Sequence, residues 1–432
     1  MKKVREGYKI TEFGEIPENW EIKSIGEIFD FSGGLSISRA KLIDKGVNYL
    51  HYGDIHMRNE NYIDTEKDDV WLPKIEDKFE DIKDNVKLSS GDVVFADASE
   101  DYEGIGKSVA IFNDFEKPFV AGLHTIVAKD INKQLDNSYK RYCFSTNEVR
   151  KQFRYLAVGT SVYGISRENI KKIKINVPTI KEQEKIALIL STVDEQIDNV
   201  DGLIKKNKEL KKGLMQQLLI KGIGHTKFKK TEIGEIPEEW EVKKLKDLGS
   251  SIIGLTYSPD DLVGEGEGTL VLRSSNIKNS RIVFDDNKYV KTNIQDKLIV
   301  KEDDILICSR NGSKNLIGKC ALIDKKTEGC SFGAFMTIYR SHYNKYLFNV
   351  FTSYMFKRQI YNNLGATINQ ITTDNLNNFK VILPPIKEQE KIASILSKVD
   401  ENIDEYVNKK QKLEELKKGL MQQLLTGRTR VI

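Results

Sequence analysis

Apolar residues recur at alternating steps of four and three in two long stretches of the chain. Such a heptad pattern predicts a helix whose apolar stripe packs against a second helix. The stripe is interrupted by a few polar positions, among them Lys211 and Lys417. Its apolar members are Ile186, Leu190, Val193, Ile197, Val200, Ile204, Leu214 and Leu218 in the first stretch, and Ile392, Leu396, Val399, Ile403, Tyr406, Leu413, Leu420 and Leu424 in the second.

Proline and glycine mark the ends of both predicted helices. Pro178 and Pro384–Pro385 stand just before them, where proline is tolerated, and Gly222 and Gly427 follow them. A helix of about 39 residues is about 58 Å long. We interpret this rod as a spacer of fixed length between two globular heads.

Shorter apolar runs bounded by turn residues predict mixed α/β heads in front of the two helices. The predicted strands lie at 47–52, 92–96, 109–112 and 123–128 in the first head, and at 270–272, 305–308 and 336–339 in the second. Helical patterns follow near 139–156 and 346–364.

The chain is an internal repeat. Residues 181–219 align without a gap with residues 387–425, and 27 of these 39 positions are identical. A second motif occurs at 11–21 and again at 231–241, whereas the heads between these anchors diverge strongly. We infer two copies of one plan, which perform the same kind of task on two different targets.

The repeat predicts seven consecutive segments. They are a lead-in segment at 1–20, a first head at 21–178, a first long helix at 179–220, a linker and second lead-in at 221–240, a second head at 241–384, a second long helix at 385–425 and a tail at 426–432.

Composition and charge narrow the class of protein. Hydrophobic residues make up 39% of the chain and charged residues 31%, as in a globular protein, and the net charge of +4 permits a nucleic-acid partner without requiring one. No apolar run approaches the roughly 18–20 residues of a membrane span, and no apolar signal region follows the N-terminal charges. The sparse cysteines are typical of free thiols, so we expect a cytoplasmic protein.

No complete motif for catalysis, a cofactor or a metal is visible. Gly106-Lys107-Ser108 ends like a phosphate-binding loop, but Asp101 occupies the place of the first glycine. The five histidines do not cluster with cysteine at zinc spacing, and there is no Cys-x-x-Cys. We therefore expect a chain that has no catalytic residues and binds no metal.

Loops in both heads mix glycine with hydroxyl, aromatic and cationic residues, which can contact bases and phosphates. An ordinary turn explains any single loop, but their occurrence at matched positions in both heads favours a binding face. The candidate DNA-binding residues are Gly34, Ser36, Ser38, Arg39, His51, Tyr52, Arg58, Thr160, Ser161 and Tyr163 in the first head, and Thr256, Tyr257, Arg273, Ser274, Ser275, Arg310, Asn311, Lys314, Thr367, Asn369 and Gln370 in the second.

The layout resembles the specificity subunit of type I restriction–modification enzymes. The residues that carry the resemblance are Gly-Glu-Ile-Pro-Glu-x-Trp at 14–20 and 234–240, and Lys-Glu-Gln-Glu-Lys-Ile-Ala at 181–187 and 387–393. A third motif, Leu-Lys-Lys-Gly-Leu-Met-Gln-Gln-Leu-Leu, also occurs twice, at 210–219 and 416–425. The resemblance implies an α+β fold in which two target-recognition domains are joined by two long antiparallel coiled-coil helices with a pseudo-twofold repeat.

The resemblance also implies a function and partners. Each target-recognition domain would read one half of a bipartite, asymmetric site in double-stranded DNA, and the helices would fix the unread gap. Two modification subunits that methylate adenine with S-adenosylmethionine would dock on this chain. Two restriction subunits, which are motor–nucleases that use ATP and Mg, would complete the complex. This chain itself would bind no cofactor.

Two other functions stay open from the residues alone. The chain could be a two-headed structural spacer that joins protein partners. It could also be a stand-alone DNA methyltransferase or nuclease, although the missing catalytic motifs count against that interpretation.

Overall fold

A computed structural model of the chain describes residues 4–364 and 369–431. Contacts group the chain into two compact units, one comprising Met1–Val200 with Lys409–Ile432 and the other comprising Asp201–Asn408. Each unit therefore combines one head with the first part of the long helix that follows it and the last part of the other long helix.

The first unit contains a central sheet and a smaller side sheet. The central sheet is antiparallel except where Ser108–Phe112 runs parallel to Tyr62–Asp64. Its strands, in spatial order, are Asp30–Gly33, Thr125–Lys129, Val93–Ala96, Ser108–Phe112 and Tyr62–Asp64. The side sheet contains Phe119–Ala121, Val47–Leu50 and Lys74–Ile75.

Further strand pairs and short helices complete the first head. The pairs are Tyr8–Thr11 with Gly14–Pro17, Glu21–Ser24 with Lys174–Val177, and Ala98–Ser99 with Tyr163–Gly164. The α-helices are Ile25–Ile28, Tyr52–Met57, Thr65–Asp68, Asn147–Leu156 and Arg167–Lys171.

The second unit repeats this plan with different loops. Its central sheet contains, in spatial order, Ser250–Ile253, Met336–Arg340, Ile305–Cys308 and Cys320–Leu322, and its side sheet contains Leu262–Val263, Tyr289–Val290, Thr269–Leu272 and Ser331–Phe332. The remaining pairs are Phe228–Thr231 with Gly234–Pro237, Glu241–Lys244 with Lys380–Leu383, and Ile277–Lys278 with Arg281–Ile282. The short α-helices are Asn344–Thr352, Tyr354–Asn363 and Thr373–Asn378. In both heads the predicted strands are present, with ends that differ by at most two residues.

Each central sheet separates two apolar cores, because successive side chains of a strand point to opposite faces. Val93 and Phe95 pack in a core with Trp20 and the start of the first long helix, whereas Val94 packs towards the side sheet. The strand Ile305–Cys308 of the second head divides between two cores in the same way.

The two long helices, Ile180–Leu218 and Ile386–Leu424, contain 39 residues each. All sixteen apolar positions of the predicted stripes are buried or half-buried. In the first unit the start of the first helix packs with the end of the second, since Ile186 and Leu424 share one core, and the two segments are therefore antiparallel. Leu218 and Ile392 share a core in the second unit, where the segments are also antiparallel.

Lysines within the stripes pair with aspartates on the facing helix. Lys417 Nζ lies 2.6 Å from Asp194 Oδ1 in the first unit, and Lys211 Nζ lies 2.6 Å from Asp400 Oδ2 in the second. These pairs occupy equivalent positions of the repeat. Polar groups at stripe positions specify register, so we interpret the two pairs as the markers that fix the alignment of the helices.

The helical patterns near 139–156 and 346–364 are not continuous helices, which corrects the expectation from sequence. Two short 3₁₀ turns precede Asn147–Leu156 in the first head, and a break at Ser353 separates the two helices of the second. The hydroxyl of Thr146 accepts from the Val149 N–H, and Ser353 accepts likewise from Phe356. These side chains cap a new helix in each head, because they satisfy N–H groups that a continuous helix would satisfy itself.

The repeated Gly-Glu-Ile-Pro-Glu-x-Trp motif closes a β-hairpin and anchors the long helix, a role that sequence analysis did not predict. Trp20 is buried, and its Nε1–H donates to Glu182 Oε2 over 3.1 Å. Trp240 is also buried and donates to Glu388 Oε2 over 2.9 Å. The motif therefore ties each hairpin to the first turn of the following long helix.

Candidate nucleic-acid interface

Most of the candidate loops meet at one end of the central sheet in each head. We call this end the rim. In the first head it comprises residues 33–39, 51–52, 97–99, 122–124 and 158–164, and in the second head residues 253–258, 273–275, 309–314, 333–335 and 369–370.

Backbone hydrogen bonds show that the two rims have the same framework. The Gly34 N–H donates to Thr125 O over 3.0 Å, as the Gly254 N–H does to Met336 O over 3.1 Å. The Ile165 N–H donates to the carbonyl of residue 97 over 2.9 Å, and the Ile371 N–H donates to that of residue 309 over 2.8 Å. The loops therefore occupy matched positions, as the sequence pattern predicted.

A glycine crossing holds the loops of each rim together. A Cβ atom on Gly34 would lie 1.9 Å from Gly122 O, and one on Gly254 would lie 2.2 Å from Gly333 O. Both distances are far below a van der Waals contact, so a side chain at either position would force the loops apart. The candidate Gly34 thus has a clear structural role.

The first rim presents an aromatic and titratable cluster. His124 Nδ1 lies 3.1 Å from Asp97 Oδ1, and the Tyr52 ring meets the His124 ring edge-on at 5.3 Å between centroids. Tyr163 packs on Tyr102 at 5.1 Å. The other exposed candidates on this rim are Ser36, Ser38, Arg39, Thr160 and Ser161.

Two candidates of the first head are engaged in internal contacts. His51 is buried, its Nδ1 accepts from the Gly53 N–H, and burial lowers the pKa of its imidazole, so it is held neutral as a helix cap. Arg58 pairs with Asp68 at 3.1 Å and lies over the Trp71 ring at 4.7 Å.

The second rim presents amides and a stacked guanidinium. Arg310 is exposed and lies over the Phe335 ring at 5.1 Å. Asn311 Nδ2–H donates to Ser274 Oγ over 3.2 Å, and Asn369 Nδ2–H donates to Gly312 O over 3.0 Å. Gln370 pairs through its backbone with Arg310. This rim is thus rich in hydrogen-bond donors that are suited to base edges and phosphates.

The remaining candidates of the second head divide into exposed and engaged residues. Thr256 and Lys314 are exposed, whereas Tyr257 packs against a small apolar cluster and Ser275 is half-buried. Arg273 pairs with Asp286 at 2.7 Å. Thr367 lies outside the described residues.

Sequence analysis missed Asp97, His124 and Phe335. In the structure His124 corresponds to Phe335, because the Asp97 N–H donates to His124 O as the Ser309 N–H donates to Phe335 O, each over 3.1 Å. The available signal was a glycine two positions earlier in both loops, at 122 and 333.

No metal-binding cluster, disulfide or membrane-spanning helix is present among the residues that the structure describes. Residues 4–364 and 369–431 contain no group of three His, Cys, Asp or Glu residues that could hold a metal ion. The four cysteines are free, and burial raises the pKa of the Cys308 thiol behind the rim to about 11. No helix among the described residues has the length and apolar character to cross a membrane.

Comparison with known proteins gives one consistent family. The family model described as type I restriction modification DNA specificity domain matches residues 17–211 and again residues 237–418. The MjaX type I restriction enzyme specificity subunit of Methanocaldococcus jannaschii is 31% identical over 99% of this chain and 97% of its own length. The EcoKI specificity subunit of Escherichia coli is 22% identical over 88% of this chain and 82% of its own length.

Solved structures share the fold. The S subunit of a type I restriction–modification system from M. genitalium aligns with a TM-score of 0.55 at 15% identity, covering 94% of this chain and 96% of that one. A second chain, from a study of type I R-M complex assembly, aligns with a TM-score of 0.54 at 16% identity, covering 96% of this chain and 99% of that one. Because the family model matches most of the chain, once over each head and the helix that follows it, this protein belongs to the type I restriction modification DNA specificity domain family.

Proposed function

We propose that this chain is the DNA-specificity subunit of a type I restriction–modification complex. Each head reads one half of a bipartite, asymmetric site in double-stranded DNA through its rim. The chain itself performs no catalysis and binds no cofactor.

One observation carries this proposal: two rims with the same backbone framework display different side chains. The first rim presents the exposed His124 with Asp97 and Tyr52 beside it, whereas the second presents the exposed Arg310 on Phe335 and half-buried amides. Base edges in the major groove are distinguished by patterns of donors and acceptors, so two rims of different chemistry suit two different half-sites.

The partners follow from the same proposal. Two modification subunits that methylate adenine with S-adenosylmethionine dock around the long helices and heads, and two restriction subunits that use ATP and Mg complete the complex in the cytoplasm. Leu210 and Leu416 support a docking role for the helices, because they occupy equivalent positions of the repeat and are 51% and 50% exposed. Exposed apolar side chains at equivalent positions suit two copies of one partner.

Adenine-methylation mapping tests the function. A plasmid is isolated from cells that co-express this chain with a candidate modification subunit, and methylated positions are mapped genome-wide and on the plasmid. We expect an interrupted two-part motif that disappears when this chain is omitted. Methylation by the chain alone would favour a stand-alone enzyme, and a stable complex without DNA binding would favour a protein spacer.

The two long helices set the unread gap between the half-sites. Inserting one heptad into both helices, at 200–207 and 406–413, lengthens each by about 10 Å while keeping the stripes in register. The gap should therefore change by about three base pairs, at 3.4 Å per step, and both half-sites should stay the same. An altered half-site sequence in the methylation map would contradict this spacer role.

A further inference from the structure

The matched rims allow the two heads to be compared residue by residue. The backbone N–H of Asp97 donates to His124 O, and that of Ser309 donates to Phe335 O. His124 and Phe335 each come directly before the neighbouring strand of the central sheet. Arg310 follows Ser309 directly. One small patch of each rim therefore holds three corresponding positions, filled by a histidine–carboxylate pair in one head and an arginine–aromatic pair in the other.

In the second head the patch is built to present a flat guanidinium. Arg310 is exposed and lies 5.1 Å from the centroid of the Phe335 ring, which is itself 57% exposed. Among residues 4–364 and 369–431, no carboxylate oxygen lies within 4.0 Å of the Arg310 guanidinium nitrogens. Stacking on a ring orients the guanidinium, whose two parallel N–H donors match O6 and N7 of guanine.

In the first head the corresponding patch is built to present an acceptor. His124 Nδ1 lies 3.1 Å from Asp97 Oδ1. In a neutral imidazole, an Nδ1–H that donates to the carboxylate leaves Nε2 as the acceptor. The His124 side chain is 51% exposed, so this acceptor is open to a ligand.

The backbone of His124 adds an independent observation. Its φ of +56° lies in the left-handed region, which is strained for a non-glycine residue. Such strain persists where surrounding contacts hold it, and it concentrates at ligand-binding positions. The Asp97 carboxylate and the Tyr52 ring contact the His124 side chain.

We propose that Arg310 reads a guanine in the half-site of the second head, and that His124 reads an exocyclic amino group, of adenine or cytosine, in the half-site of the first. Asp97 is a positioning residue that fixes the His124 tautomer. This inference rests on the proposed function, since it assigns the bases that the two rims discriminate. It gives the corresponding patches opposite hydrogen-bonding character, donor in one head and acceptor in the other.

Methylation mapping of variants in the complete complex tests the assignment. For Arg310→Ala we expect one position of one half-site to relax, with preference for the cognate base falling about 5-fold to 150-fold. Arg310→Lys should also relax it, because an ammonium lacks the planar fork. His124→Ala should relax one position of the other half-site by a similar factor, and Asp97→Ala should act on that same position.

Matched controls lie at the opposite end of each central sheet. Lys325→Ala removes an exposed cation from the turn after Cys320–Leu322, and Phe115→Ala removes an exposed aromatic ring from the turn after Ser108–Phe112. Both controls should leave the two half-sites unchanged. Thermal unfolding and recovery of the intact complex show whether each variant is folded.

Several outcomes would overturn the inference while leaving the proposed function standing. If Arg310→Ala lowers methylation equally at all sites and Arg310→Lys restores it, the residue contacts a phosphate instead of a base. If the Arg310 and His124 variants alter the same half-site, or if both half-sites keep their sequence, the assignment is wrong. If the wild-type complex gives no two-part motif, the proposed function itself fails.

Discussion

Trp20 in the first unit and Trp240 in the second make the same contact with the first turn of the following long helix. Their indole nitrogens donate to Glu182 and Glu388 over 3.1 and 2.9 Å. Each carboxylate also pairs with a residue of the segment that follows a long helix. Glu182 lies 3.0 Å from Arg430 Nε, and Glu388 lies 2.9 Å from His225 Nε2. The contact between tryptophan and carboxylate is thus common to both units, and the second donor is an arginine in one and a histidine in the other.

A few residues further along the helices, the two units differ. Asp194 accepts from Lys417, from Arg141 at 3.2 Å and from the Tyr142 hydroxyl at 2.7 Å. In the second unit Asp400 pairs with Lys211, and no arginine or tyrosine of the described residues donates to it.

Counting from Tyr139 and Tyr346, which make equivalent contacts, the residues that replace Arg141 and Tyr142 are Phe348 and Asn349. They lie along a groove of about 830 Å³ between the second head and its helix segments. Both units therefore share the lysine–aspartate ion pair, whereas the contacts that Arg141 and Tyr142 add between head and helix are specific to the first unit.

The strongest way to break the shared framework is to place a side chain at a glycine crossing. Gly34→Val should destabilise the first unit by about 3 kcal/mol, because its Cβ would fall 1.9 Å from Gly122 O. The measurement is denaturant unfolding of the full chain. Gly33→Ala is the matched control, since a Cβ there has nothing within 4 Å, and equal destabilisation by the two variants would contradict the crossing.

The second test compares how much Asp194 and Asp400 each contribute to the stability of the folded chain. Asp194→Ala should cost about 2 kcal/mol, because it leaves two half-buried cations and a hydroxyl without their acceptor, whereas Asp400→Ala should cost about 1 kcal/mol. Thermal unfolding of the full-length variants measures both changes under one buffer condition. Equal costs would mean that Arg141 and Tyr142 add nothing to the fastening of the first head.

The third test measures how stability depends on pH through Glu388, the carboxylate that accepts from Trp240. Burial alone would raise the pKa of Glu388, but donation from Ile223, His225 and Trp240 outweighs it and holds the pKa below its usual value. A lowered carboxyl pKa contributes stability that is present above the ordinary value and is lost as pH falls through the folded one. Wild-type stability should therefore fall more steeply than that of Glu388→Gln as the pH is lowered below about 4.5. Parallel pH profiles from denaturant titration would contradict this.

The smallest expected effect lies at two equivalent glycines inside the long helices. Added Cβ atoms at Gly213 and Gly419 meet nothing within 4 Å, so Gly213→Ala and Gly419→Ala should each stabilise the chain by about 0.5–1 kcal/mol. Calorimetry measures this gain. A stabilised variant that no longer assembles with a modification subunit would show that the partner approaches the helix backbone at that glycine.

Sequence was sufficient where structure depends on local periodicity. The heptad stripes predicted both helices, because burial of Ile186 or Ile392 follows from spacing alone. It was insufficient where one hydrogen bond decides the outcome, as at Thr146 and Ser353, whose caps interrupt a continuous helical pattern.

Sequence was sufficient to predict only part of the rim. Its location at matched loops was predictable from glycine and polar clusters, and most of the candidate residues do lie there. The correspondence of His124 with Phe335 was not predictable, because it depends on hydrogen bonds between segments that are far apart in sequence. Arg58 was misleading for a similar reason, since its ion pair with Asp68 is visible only in the folded head.

The division of the chain also orders its biosynthesis. The second unit is one uninterrupted stretch, Asp201–Asn408, whereas the first combines two separate stretches, of which the later contributes Leu424 and Leu425 to the core and Arg430 to an ion pair with Glu182. A ribosome synthesises residues 409–432 after all of the second unit, so the head that emerges first is the one completed last. Truncation after residue 408 would thus damage the first head although residues 21–178 are left intact, because part of that unit's core comes from the last part of the second long helix.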